Sequence, residues 1–166
     1  MTMRTIIKKL LMLACAVLLL CSCADYSKIE FSDFRVNSID SLRYSLTDLR
    51  AIVNSQLSVD NPFFAMTLKN FALDVVSPEG ETAAEVRMDE GTTLSVAAKS
   101  KTELEAPLRV HVSNPLKYLS LGMDALHRLG EEGYTVNYSL DVSKGGKFHK
   151  INKKNIPLDS FIKTEE

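Results

Sequence analysis

Apolar and polar residues alternate from Leu49 to Val59, and this alternation predicts a β-strand with one buried face. One face carries Leu49, Ala51, Val53, Leu57 and Val59, interrupted only by Ser55, and the other carries Arg50, Asn54, Gln56, Ser58 and Asp60. Such patterning is typical of antiparallel sheets that are solvated on one side. Asn61 and Pro62 are expected to end the strand, because proline has no amide hydrogen for the ladder and asparagine favours turns.

Two alternating segments precede this strand. Phe31 to Ile39 predicts a first strand, in which Phe34 and Val36 face inward. The next apolar positions are expected to begin the second strand, which the Leu49–Val59 face continues after an irregularity. These positions are Leu42, Tyr44 and Leu46.

The segment after Pro62 changes the parity of its apolar positions. These are even-numbered up to Leu68 and odd-numbered from Phe71 onward. A switch of this kind within one strand predicts a β-bulge. Turns at residues 78–80 and 89–91 then enclose a short predicted strand.

The segment Thr102–Val112 has the most regular alternation in the chain. Its inward positions are all apolar: Leu104, Ala106, Leu108, Val110 and Val112. Pro107 lies on the polar face, and because it cannot donate to a neighbouring strand it predicts an edge position or a bulge.

A single helix is predicted directly after this strand. Asn114 can cap it, Pro115 suits its first position, and Gly130 can end it. Apolar residues at helical spacing predict one face packed on the sheet. These residues are Leu116, Leu119, Met123 and Leu126.

The C-terminal part of the chain predicts a hairpin. Tyr134 to Val142 alternates, Gly145-Gly146 provides a turn, and Phe148 to Ile162 supplies a last strand interrupted at Pro157. The chain therefore predicts an all-β fold over residues 31–162. We expect an immunoglobulin/fibronectin-III-like antiparallel β-sandwich of about seven strands with one inserted α-helix.

Residues 1–22 differ in composition from the rest of the chain. Arg4, Lys8 and Lys9 precede an apolar run from Leu10 to Leu20, and small and cysteine residues follow. This order is typical of a signal peptide. The run is also shorter than the ~20 residues that a membrane-spanning helix needs.

The end of this leader, Leu20-Cys21-Ser22-Cys23, resembles the bacterial lipobox. The resemblance implies that a lipid is attached to the sulfur of Cys23, that the leader is cleaved before Cys23, and that the new amine is acylated. Two or more acyl chains would anchor the protein stably to a membrane. Residues 23–30 would then be a lipidated tether, and Ala24 favours the outer membrane of a Gram-negative envelope, facing the periplasm.

Loss of Arg4, Lys8 and Lys9 with the leader would shift the formal net charge from −1 to about −4. Basic and acidic residues are interspersed along the remaining chain. Nucleic-acid binding is not predicted, because it requires a basic stripe.

The strand that ends in Asn61-Pro62 before an apolar residue resembles the late embryogenesis abundant (LEA) type 2 family, also called the water stress and hypersensitive response domain. The segment Leu104–Val112 running into a helix, and Ile156-Pro157-Leu158, add to this resemblance. It covers roughly residues 31–158 and implies a β-sandwich. It also implies stress or desiccation protection, without a defined molecular activity.

Candidate catalytic and metal-binding residues are scattered. His111, His127 and His149 fall on different predicted elements, without a second ligand at metal spacing. Glu103 and Glu105 share one strand face about 7 Å apart, a spacing that suits a glycosidase pair. A chain without tryptophan lacks the usual sugar platform, so a solvated face is favoured. We predict no catalytic residue, cofactor or metal.

The predicted C-terminal hairpin is basic. Gly145-Gly146 is not followed by a helix N-terminus that would bind phosphate. The lysines around it would attract an anionic membrane surface or protect an edge strand from pairing. They are Lys144, Lys147, Lys150, Lys153 and Lys154.

Two functions stay open from the sequence. The first is a non-enzymatic, lipid-anchored envelope protein that resembles LEA type 2 proteins and has a protective role. The second is an envelope adaptor that offers an edge strand or an inter-sheet cleft to a protein partner or an apolar ligand, by analogy with other sandwiches. An enzyme would instead require a pocket in which a histidine and a carboxylate converge.

Overall fold

The structure, a computed structural model, describes residues 7–11, 30–61, 64–121, 125–144 and 146–159. These residues form eight strands: β1 (Glu30–Tyr44), β2 (Asp48–Asn61), β3 (Met66–Val76), β4 (Thr82–Met88), β5 (Thr93–Val96), β6 (Ser100–Ser113), β7 (Thr135–Lys144) and β8 (Lys147–Pro157). Two short helices, α1 (Pro115–Leu119) and α2 (Ala125–Glu131), connect β6 to β7. Residues 7–11 form a separate helical turn. The all-β prediction is confirmed.

The strands pair antiparallel in the order β1-β2-β6-β4-β3-β7-β8, and β5 pairs with β3 beside β4. β4 pairs with both β3 and β6 and thereby joins the two halves of the sheet. Buried apolar residues from both halves belong to one cluster. The sheet therefore curls over a shared core into a sandwich-like fold, with β1 and β8 at its two ends.

The boundary between β1 and β2 differs from the predicted one. Leu42 and Tyr44 end β1, whereas they were expected to begin the second strand. A turn follows, in which the Asp48 amide donates to the Ser45 hydroxyl at 3.0 Å and the Ser45 amide donates to the Asp48 carbonyl at 2.8 Å. The apolar positions change from even-numbered to odd-numbered between Leu46 and Leu49, and this change marks the turn between two strands where an irregularity within one strand was predicted.

The predicted bulge in β3 is confirmed. The buried positions change from even-numbered to odd-numbered at Asn70. The φ of Asn70, 55°, lies in the left-handed region that asparagine tolerates. The pairing with β7 shifts its register between Lys69 and Ala72. The Asn70 amide also donates to Asp141 of β7 at 2.7 Å, which ties the bulge to the neighbouring strand.

Pro107 lies inside the sheet and the β2–β6 register runs through it without a shift, so the predicted edge position or bulge is wrong. β6 pairs with β2 along its whole length, and it pairs with β4 only from Leu108 onward. The Pro107 carbonyl accepts a hydrogen bond from the Asp89 amide at 3.2 Å, on the β4 side. The missing amide hydrogen of a strand residue lies on the same side as its carbonyl. It therefore faces the end of β4, where the ladder stops, and the pairing with β2 loses nothing.

The predicted single helix is two helices. Pro115 occupies the first turn as expected, but Asn114 makes no side-chain capping hydrogen bond. Leu116 is 41% exposed, so its predicted place in the core is wrong, and the neighbouring Tyr118 is buried in its stead. Gly130 lies within α2 and does not end it. An added Cβ there would approach the Asp159 backbone to 3.2 Å, so glycine permits this close packing.

Two further differences concern the strands. β5 was not predicted, because its two inward residues, Leu94 and Val96, are too few to establish a pattern. The β7–β8 hairpin is confirmed, with Gly146 in a left-handed conformation, but β8 ends at Pro157. Gly145, residues 160–166, Cys23 and most of the predicted leader lie outside the described residues.

Candidate binding cleft and outer groove

The inner face of β1 is only partly covered. Its inward residues lie opposite the buried residues of β2 from Leu49 to Ser55. Val36 and Ile39 are half-buried against the core, whereas Leu42 and Tyr44 are 46% and 44% exposed. The inner face therefore changes from covered to solvent-exposed along one strand.

The other end strand has a similar inner face. Ile151 and Ile156 of β8 lie opposite the buried residues Leu140 and Val136, and both isoleucines are half-buried. In the part of the chain that the structure describes, β1 and β8 do not pair with each other. The apolar interior of the sandwich is therefore not closed by strand pairing between its two ends.

The helical turn formed by residues 7–11 packs at the β1 side of this interior. Ile7, Leu10 and Leu11 are 1%, 5% and 0% exposed and belong to the same apolar cluster as the strands. A cavity of about 290 Å³ remains beside them, bounded by Ile7, Lys8, Val36, Asn37, Ser38 and Ile39. We call the space between residues 7–11 and Val36–Ile39 the β1 cleft. Part of the predicted leader thus fills an apolar position in the domain, which the sequence pattern did not indicate.

A second concave surface lies on the outer face of the sheet. It encloses about 750 Å³ and crosses β1, β2, β6, β4 and β3. We call it the outer groove. Its charged and imidazole side chains are Arg43, Arg50, Glu85, Arg87, Glu90, Arg109 and His111.

Carboxylates pair with three of these arginines. Arg87 binds Asp74 and also donates to the Leu73 carbonyl at 2.8 Å. Arg109 lies 2.6 Å from Asp89. These side chains are between about one third and one half exposed, so solvent screens their attraction. The outer groove therefore carries separate, solvent-screened ion pairs rather than a concentration of charge of one sign.

Asp48 joins a histidine and the third arginine at the rim of the outer groove. Its carboxylate lies 2.5 Å from His111 Nε2 and accepts a 3.0 Å hydrogen bond from Arg50 Nε. The hydrogen bond with His111, followed by the charge of Arg50, lowers the pKa of Asp48 from its ordinary value of 3.8. These contacts hold the carboxylate in its ionised form.

In the His111–Asp48 pair, a histidine and a carboxylate converge at a pocket. An enzyme would require such an arrangement. The two side chains of the pair are 33% and 39% exposed. A pair this open to water lacks the desolvated surroundings in which active-site charges act strongly. We therefore interpret it as one of the solvent-screened ion pairs around the outer groove.

The other candidate residues do not converge on one site. His127 of α2 is exposed, 3.6 Å from Glu131 on the same helix, and His149 is exposed on β8. Glu103 accepts a 2.9 Å hydrogen bond from Gln56, while Glu105 faces solvent. Among the described residues, no three histidine, cysteine or acidic side chains come together as metal ligands. Within the same residues, no helix is long and apolar enough to cross a membrane.

Comparisons with known proteins identify no family, since no family model and no curated protein matches the chain. Among solved structures, a protein from Archaeoglobus fulgidus has a TM-score of 0.39 at 12% identity, covering 75% of this chain and 92% of that chain. A β-glucuronidase from glycoside hydrolase family 2 has 0.30 at 11%, covering 73% and 11%. The yeast GGA1 GAE domain has 0.30 at 14%, covering 74% and 96%. All three TM-scores are below 0.5, and these likenesses carry no argument about function.

Proposed function

We propose that the chain is a non-enzymatic, lipid-anchored envelope protein whose β-sandwich is a binding module. The observation that carries the binding role is the inner face of β1. Leu42 and Tyr44 project from that face and stay almost half exposed. Apolar surface left open beside a packed core is typical of a surface that takes a partner or an apolar ligand.

The proposed anchor supports this role by position. Cys23, the residue that the lipobox resemblance assigns to acylation, precedes the first residue of β1, Glu30, by seven residues. A chain of that length spans at most about 25 Å. An acylated Cys23 would therefore hold β1 close to the membrane surface, within reach of membrane-associated partners.

The resemblance to LEA type 2 proteins is compatible with this proposal and motivates a protective role, which stays a prediction. One geometric feature supports the relevance of the Asn61-Pro62 motif. The Asn61 side-chain amide donates to the carbonyls of Phe64 and Ala97 at 2.8 and 3.0 Å. The asparagine thereby joins the end of β2 to the segments that follow it and precede β6.

Photo-crosslinking of the membrane-anchored protein tests the binding role. A benzophenone amino acid would replace Leu42 or Tyr44 on the inner face, or Ile52 on the outer face of β2 as the matched control. Ile52 is 43% exposed, close to the exposure of the two test positions. We expect discrete adducts from the two inner positions alone. No adduct, or the same adduct from Ile52, would argue against a binding site at this face.

A further inference from the structure

Residues 7–11 enter the β1 cleft as an amphipathic helix. The buried residues Ile7, Leu10 and Leu11 are spaced i, i+3 and i+4, the positions that share one helix face. Lys8 between them is exposed and Lys9 is half-buried. The cleft thus accommodates a helix with one apolar face and a basic residue directed away from the core.

The cleft also has a polar rim that suits such a helix. Lys8 and Ser38 bound the same cavity, and the Ser38 hydroxyl donates to the Asp40 carboxylate at 2.6 Å. Asn37 and Ser38 therefore give the cavity polar residues on its β1 side, beside Lys8 of the helix. A polar rim beside an apolar core is typical of binding interfaces and suits a helix with one apolar and one polar face.

The helical turn is separable from the domain that holds it. Residues 7–11 belong to the leader that we propose is cleaved before Cys23, whereas Val36 and Ile39 belong to β1. Removal of the leader would leave the apolar positions of Ile7, Leu10 and Leu11 unfilled. The cleft would then be free only in the processed protein.

We propose that the β1 cleft is a docking site for an amphipathic helix of a partner, with apolar residues at i, i+3 and i+4 and a basic residue between them. The chain's own leader occupies this site before processing. This proposal rests on the proposed function and assigns its site and the chemistry of its partner.

A labelled peptide with the sequence of residues 4–14 is the probe, and fluorescence anisotropy is the readout. The protein is the full chain carrying Cys23→Ala, which retains the leader and keeps the cleft filled. Adding Leu10→Asp alters the leader and leaves the sandwich unchanged, so the cleft should open. We expect its affinity for the peptide to rise at least about tenfold, because a larger fraction of the protein becomes competent to bind.

Two matched variants locate the bound peptide. In the Leu10→Asp chain, Ile39→Asp in the cleft should abolish the rise in affinity for the peptide. Ile52→Asp on the outer face should preserve that rise. Circular dichroism establishes that both variants are folded. A peptide in which Ile7, Leu10 and Leu11 are replaced by serine should not bind.

Three results would overturn the proposal: unchanged affinity after Leu10→Asp, equal binding by the Ile39→Asp variant, or binding of the serine peptide. Saturation of the opened cleft by a 16-carbon fatty acid in place of the peptide would assign the site to lipid and also overturn it. The broader binding role would still stand if photo-crosslinks formed from Leu42 and Tyr44. The two proposals therefore fail separately.

Discussion

The hydroxyl of Ser55 donates a 2.7 Å hydrogen bond to the carbonyl oxygen of Ala106, its partner residue across the β2–β6 pairing. Ser55 is 0% exposed and interrupts the apolar inner stripe of β2. A buried hydroxyl is costly unless it is hydrogen-bonded. The bond to Ala106 thus explains how the core tolerates a polar residue in its central strand pair.

Replacing Ser55 with alanine removes this hydrogen bond and keeps a small side chain in the core. We expect the free energy of unfolding to fall by about 1 kcal/mol, the usual net value of one such bond. Urea denaturation measures it. Ser38→Ala, at an exposed serine of β1, is the control and should change stability by less than ~0.5 kcal/mol. Equal effects of the two substitutions would contradict the assigned role of Ser55.

Asn61 is buried and places its side-chain amide against the carbonyls of Phe64 and Ala97. Asn61→Asp keeps the size of the side chain and replaces the donor with a carboxylate facing these acceptors. We expect a loss of roughly 2–3 kcal/mol in the free energy of unfolding at pH 7, because a buried negative charge would face two carbonyl oxygens in place of the amide that donated to them.

Chemical denaturation of Asn61→Asp beside Asn54→Asp checks this prediction. Asn54 lies on the outward face of the same strand and is half-buried, so its carboxylate would keep contact with water. A stability difference of less than ~0.5 kcal/mol between the two variants would show that the hydrogen bonds from the Asn61 amide to Phe64 and Ala97 do not stabilise the fold.

The pKa of Asp48 lies below 3.8, chiefly because of its hydrogen bond with His111. A depressed folded-state pKa contributes stability above the unfolded-state pKa, and that contribution is lost as pH falls through the folded value. An NMR titration of the Asp48 carboxyl should have its midpoint below 3.8, and His111→Ala should raise this midpoint more than Arg50→Ala does. A midpoint unaffected by His111→Ala would contradict the assigned cause.

We expect lysines to protect the edge of β8, the last strand of the sheet in the part of the chain that the structure describes. This strand ends the sheet, and Lys150 and Lys154 are exposed on it. Charged side chains on an edge strand discourage pairing between molecules. Replacing both with threonine should therefore increase self-association in light scattering. Replacing both with glutamate retains a charged edge and should leave the protein monomer content unchanged. Association in both variants, or in neither, would exclude edge protection as the role of these lysines.

The strands that bury one face were the most predictable part of the fold. The alternation in β4, β6 and β7, and in β2 from Leu49 to Val53, predicted residues that lie in the core, and the parity change near Asn70 predicted the bulge. Ser58 of β2 is buried although the alternation predicted it on the outer face. Features fixed by local hydrogen bonds or by tertiary contacts escaped the pattern. The turn at Ser45 follows from local hydrogen bonds, and Pro107 is tolerated inside the sheet because β4 ends beside it.

The sequence was less informative about the candidate site. The cleft depends on which side of the curled sheet is left open, and strand order follows from long-range pairing that a period-two pattern does not encode. Asp48 and His111 are 63 residues apart in the chain, and only the β2–β6 register brings them together. Cys23 was predicted from its local motif and lies outside the described residues.

The intact mass of the protein extracted from its native membrane tests the central claim most directly, with a Cys23→Ala variant measured beside it. The proposed anchor predicts a mass equal to residues 23–166 plus acyl groups, and loss of this species in the variant. A wild-type chain that retains residues 1–22, or one released without acyl groups, would contradict both the anchor and the opening of the β1 cleft by processing.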